Sequence, residues 1–92
     1  MTAESLTGES PLHVLRRQFG LRIASLLTPE QQDQVADVFR LLADAEGEAL
    51  ARAWMIGRNP FLGDDNPILT IADGRPVEVQ AAARAYLGGQ WA

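Results

Sequence analysis

The sequence predicts an all-α fold: one compact bundle of four to six short helices, several opened by proline, with a free C-terminal tail. Three observations lead there. No segment alternates apolar and polar residues with period two for long enough to make a strand. Apolar residues recur instead at i, i+3, i+4 and i+7, the spacing that lays them along one face of a helix. The pairs Ser10-Pro11, Thr28-Pro29 and Asn66-Pro67 place a capping side chain just before a proline at the first helical position, where its missing N–H costs nothing. A chain of 92 residues is too short for two independent cores.

Taken in order, Met1 to Glu9 are rich in Thr, Ser, Glu and Gly, and a flexible N-terminus over residues 1–10 is expected. Ser10-Pro11 opens a helix over Leu12 to Phe19, which Gly20 ends as a left-handed cap. Leu21 to Leu27 supplies a second short apolar turn or helix. Thr28-Pro29-Glu30-Gln31 is the clearest start signal, with Gln31 placed to complete a capping box with Thr28. Val35, Val38, Phe39 and Leu42 then trace one face, opposite Asp33, Asp37 and Arg40. Gly47 predicts a kink or a break, and the stripe resumes at Ala49, Leu50, Ala53 and Trp54 before a cap at Gly57. Asn59-Pro60 marks a turn. Phe61 to Asp65 reads as a loop with two apolar anchors. Asn66-Pro67 starts a short helix through Ile68, Leu69 and Ile71, which Gly74 closes. Pro76 opens the last helix, with Val79, Ala82, Ala83, Tyr86 and Leu87 on one face and Gly88-Gly89 as its stop. The expected core is Phe39, Leu42, Leu50, Trp54, Leu62, Leu69, Ile71, Val79 and Tyr86.

Composition excludes several functions. With no cysteine there are no disulfides, thiolate metal sites or thiol nucleophiles. The net charge of -4 opposes binding to phosphate backbones by the molecule as a whole. Glu4 and Glu9 stand where a secretory signal needs basic residues, and no apolar run reaches the ~18–20 residues that span a bilayer, so a cytoplasmic chain without membrane contact is expected.

Candidate chemistry is sparse. The single His13 has no acidic neighbour in sequence, and a lone histidine is most often a surface residue. Ser5, Ser10 and Ser25 lack a nucleophile-elbow setting. Asp64-Asp65 offers two adjacent carboxylates with no third ligand, the pattern of a solvated loop rather than a metal site. Gly57, Gly63 and Gly74 sit at helix ends without a phosphate-cradling Gly-Lys-Ser/Thr element. No catalytic residue, metal or cofactor is expected, and the chain does not read as an enzyme. Leu15 to Leu27 faintly suggests a helix-turn-helix. However, Arg16 stands where close helix approach needs a small residue, and Pro29 falls where a recognition helix should continue. Arg16, Arg17 and Arg22 form a basic patch, so DNA binding is doubtful but not empty as a reading.

The ordered set Trp54-Met55, Asn59-Pro60-Phe61-Leu62, Asn66-Pro67, Ile71, Asp73-Gly74, Val79 and a late glycine at Gly88 or Gly89 carries a resemblance. From about Val38 onward the chain resembles the toxin-binding domain of the Xre/MbcA/ParS-type antitoxins. Tryptophan, prolines and glycines also cap and pack any helical domain, so the pattern speaks to fold before function. The resemblance implies an antitoxin of a type II toxin–antitoxin system that binds a RES-domain toxin, an NAD-degrading enzyme, and plugs its active-site cleft. It places that plug at Gly88, Gly89, Gln90, Trp91 and Ala92. Trp54, Asn59, Pro60, Leu62, Pro67 and Gly74 carry the family motif and are mainly structural. The implied organisation is a flexible 1–10, an N-terminal helical segment 11–37 and a toxin-binding domain 38–92. A double glycine lets a chain turn sharply into a pocket, a tryptophan is a strong anchor, and a carboxylate at Ala92 would pair with arginines of a phosphate-binding cleft. The departure is upstream. Family members usually carry a full helix-turn-helix domain there, whereas residues 1–37 lack a convincing recognition helix, which leaves self-association as a role for the N-terminal helices. Two other readings stay open: a small DNA-binding regulator using the Arg16/Arg17/Arg22 face, and a helical adaptor for an unrelated partner.

Overall fold

In the computed structural model, which describes residues 10–89, six α-helices and one 3-10 turn follow one another: α1 (Pro11–Phe19), α2 (Leu21–Ser25), α3 (Pro29–Glu46), α4 (Glu48–Ile56), the turn Pro60–Leu62, α5 (Pro67–Ala72) and α6 (Pro76–Leu87). The fold is an all-α bundle, as the periodicity requires. Each of the five prolines opens one of these segments. Its fixed φ is already helical, and it fills a position whose N–H has no partner inside the helix. Four of the five also have a side-chain cap. Ser10 accepts from the backbone of His13, Thr28 from Gln31, Asn59 from Phe61 and Asn66 from Leu69. At Thr28 the capping box is complete: Gln31 N–H donates to Thr28 Oγ1 at 3.1 Å, and Thr28 N–H donates to Gln31 Oε1 at 3.0 Å.

The long α3 is the centre of the bundle and packs on α1, α4, α5 and α6. Val35, Val38, Phe39 and Leu42 are buried along it at the expected spacing. Phe39 meets Phe19 of α1 edge to face, ring centroids 5.7 Å apart. Helix α3 runs unbroken through residues 37 and 38, so the expected division between 11–37 and 38–92 falls inside a helix. Val14, Leu15, Ala24 and Leu27 from α1, α2 and the turn after them join the same buried cluster as α4–α6. Gln31 Nε2 donates to the carbonyls of Ile71 and Ala72 at the end of α5, and Gln32 Nε2 donates to those of Ala24 and Leu27. The start of α3 thus binds both its neighbours in sequence and the far end of the chain.

The expected core needs correction at Leu50, Trp54, Leu69 and Tyr86, and so does the anchor Phe61. Leu69 is 50% exposed while its neighbour Ile68 is 2% exposed. The Asn66 cap and Pro67 fix the phase of a six-residue helix, which buries the face carrying Pro67, Ile68, Thr70 and Ile71. In α4 the buried pair is Ala51 and Met55, not the stripe through Ala49, Leu50, Ala53 and Trp54. Leu50 is half-buried, and Trp54 and Tyr86 pack against the core from its edge with ring centroids 6.3 Å apart. Phe61, expected as an apolar anchor, is 52% exposed, and Leu62 alone of that pair enters the core.

The phase of α4 differs because Gly47 breaks the helix outright. Its φ of +95° and ψ of +160° belong to a region that residues with a Cβ rarely enter. Gly20 ends α1 with nearly the same angles, positive in φ as expected but extended rather than helical in ψ. Substituting Gly47 separates two arguments. Helix propensity alone would make Gly47→Ala stabilising by about 1 kcal/mol. The backbone conformation makes it destabilising by about 1–3 kcal/mol instead, with no steric clash to contribute, since a Cβ there would meet nothing within 4 Å. Urea denaturation gives the sign, and a higher midpoint for Gly47→Ala would mean that α3 and α4 can fuse.

Candidate functional site

The motif residues between Trp54 and Gly74 are brought together as one unit at the α4–α5 side of the bundle. Asn59 is its pivot, 3% exposed although polar. Its Oδ1 accepts from Phe61 N–H at 2.9 Å, its carbonyl accepts from Leu62 and Asp64, and its own N–H donates to the Asp65 carbonyl at 3.1 Å. Every one of these bonds closes the loop 59–65 on itself, which satisfies a buried polar group that would otherwise destabilise the fold. Leu62 drops into the core from that loop, and Pro67 is buried at the start of α5. Gly74 takes φ +87° and its N–H donates to Ile71, turning the chain toward α6.

Arg75 fastens this unit from outside. Its guanidinium reaches Asp65 at 3.3 Å, Asp73 at 3.4 Å and Glu78 at 3.0 Å. All four side chains are substantially exposed, so each pair contributes well under about 1 kcal/mol and the network serves to position the loop. The two adjacent carboxylates therefore do not converge on a cation: Asp65 turns to Arg75, and Asp64 sits in the left-handed region at φ +67°. Among the described residues no three His, Asp or Glu side chains gather as a metal-ligand set. Nor is any helix there long and apolar enough to cross a membrane.

Two polar features had no signature in the sequence. Gln18, 9% exposed, links α1 to α4: its Oε1 accepts from Arg52 Nε at 3.2 Å and Nη2 at 2.8 Å, and its Nε2 donates to Glu48. Arg75 is the other. Gln18 and its partners are 34 and 30 residues apart and Arg75 and Asp65 are 10 apart, beyond a local pattern, whereas Asp73 and Glu78 are sequence neighbours of Arg75.

Around the motif, Ile56, Phe61, Leu69 and Val77 are each at least half exposed. At the end of α6, Gly88 N–H donates to Arg84 and Gly89 N–H to Tyr86, with Gly89 at φ +78°. The remaining members of the expected plug, Gln90, Trp91 and Ala92, lie outside the described residues. His13, Arg16, Arg17 and Leu21 line an open groove of about 480 Å³ on α1 and α2. Residues 10–29 contain no Asp or Glu and carry Arg16, Arg17 and Arg22. No protein-family model, characterised protein or solved structure matches the chain.

Proposed function

We propose that this chain is a cytoplasmic antitoxin that neutralises an NAD-degrading RES-domain toxin by direct contact, with Gly88 to Ala92 closing the toxin's cleft. The observation that supports this reading is the arrangement of the motif. The Asn59 loop, the Pro67 helix and the Gly74 turn follow one another between α4 and α6, tied by the Arg75–Asp65 pair, and α6 carries the chain from them to the Gly88-Gly89 exit. Ile56, Phe61, Leu69 and Val77 supply apolar surface of the kind a partner covers. The role is one of binding, with no chemistry assigned to this chain.

A DNA-binding regulator is the second reading, favoured by the groove that His13, Arg16, Arg17 and Leu21 line on α1 and α2. The geometry weighs against it. Helix α2 has five residues, less than two turns, and is followed by the cap at Thr28, so among the described residues it is too short to serve as a recognition helix in a major groove. Co-expression with the product of an adjacent reading frame discriminates. A stable complex with a RES-domain protein is expected. Failure to co-purify with it, together with salt-dependent binding of the isolated chain to its own promoter DNA, would transfer the assignment to the second reading.

A further inference from the structure

We propose that the groove between the Pro60–Leu62 turn and α6 is a docking site for Trp91 of the same chain. The groove measures about 400 Å³ and is lined by Phe61, Glu78, Ala81, Ala82 and Ala85. That volume lies at the small end of ligand-sized clefts and suits a single aromatic side chain better than a peptide. Its chemistry selects an apolar occupant. Glu78, the one charged residue in the lining, is held at the start of α6 by Arg75 at 3.0 Å. The stretch toward the end of the helix offers only alanine methyls and the half-exposed Phe61 ring. Alanines let a flat ring lie close to the helix, and a neighbouring aromatic edge adds a preferred geometry.

Reach selects this segment over a distant one. Helix α6 ends at Leu87, and the bonds from Gly88 to Arg84 and from Gly89 to Tyr86 tighten its last turn. Gly89, the last described residue, takes φ +78°, a conformation open to glycine and rare for other residues. From Gly89, Ala85 lies about 6 Å and Ala81 about 12 Å back along the axis, at ~1.5 Å per residue. Two extended residues carry Trp91 about 7 Å, so the indole, several ångströms long itself, reaches the surface between Ala85 and Ala81. A second copy would have to bring the same short segment to the groove at an entropic disadvantage.

This docking concerns the free chain and does not rest on the antitoxin reading. Where both hold, the two places for Trp91 exclude each other, and a partner must draw the indole out of the groove before it can be used as an anchor.

The test uses the full chain labelled with 5-fluorotryptophan, without any partner. Fluorine NMR gives one resonance each for Trp54 and Trp91, assigned by the loss of one signal in Trp91→Phe. The Trp91 resonance is expected away from the free amino acid's position, with a reduced H2O/D2O isotope shift. In Ala81→Glu, a substitution on an exposed helical position, and in Ala85→Glu, it is expected to move to the free position with the full isotope shift. An unmoved Trp54 resonance certifies that each variant is folded. A Trp91 signal that is free from the start overturns the proposal. So does protection that survives both substitutions, which would seat the ring elsewhere. Protection that appears only on raising the protein concentration overturns it too, because the groove would then be filled by a second copy.

Discussion

Met55→Ala is expected to destabilise the bundle by about 2–5 kcal/mol, the range for emptying a fully enclosed methionine site. Met55 is completely buried in α4, which packs on both α3 and α5, so no neighbour can relax into the gap without moving a helix. A domain of this size has a total stability on the order of 5–15 kcal/mol, so the loss is a large share of it. It corresponds to a fall in melting temperature of roughly 10–30 °C. Trp54→Ala, one position earlier, is expected to fall short of the ~3–5 kcal/mol of an enclosed tryptophan, because Trp54 covers the core from its edge beside Tyr86. Thermal melts followed by circular dichroism give both numbers. A Met55→Ala protein melting within a few degrees of the parent would mean that the core is centred elsewhere.

That pair of residues also marks where the sequence stops being informative about packing. Helix starts are written locally: the Thr28 cap, Pro29 and Gln31 span four residues, and both reciprocal hydrogen bonds are formed. The break at Gly47 is equally local. Which face of α4 turns inward is not, because a helix restarted after a break takes its phase from what it packs against. The predicted stripe through Leu50 and Trp54 is consequently rotated by one residue from the true one through Ala51 and Met55. The same holds for Leu69 and Ile68, adjacent apolar residues between which only tertiary contact chooses. In the candidate site, the Asn59-Pro60 turn and the Asn66-Pro67 start were legible. The Arg75–Asp65 pair and the Gln18–Arg52 link were not, because they join segments that the chain brings together only on folding.

Removing Gln90, Trp91 and Ala92 is expected to separate binding from inhibition. Under the proposed function, the segment from Trp54 to Gly74 and the exposed apolar residues around it hold the toxin, while the residues beyond α6 deny its nucleotide entry. A chain ending at Gly89 retains every described helix and both hydrogen bonds that close α6, so the holding surface is untouched. The truncated chain should therefore still form a stable complex, and NAD turnover by the complexed toxin should return. Trp91→Ala alone is expected to weaken the block by about 2 kcal/mol or more, roughly 30-fold in the inhibition constant, the loss typical of a buried aromatic anchor at an interface. The assay is NAD consumption by purified toxin, with complex formation followed in parallel by size-exclusion chromatography. Full inhibition by the chain ending at Gly89 would exclude the plug and leave the helical surface as the inhibitory element. Loss of both complex and inhibition would instead make these residues the main binding determinant, with the broad surface contributing little.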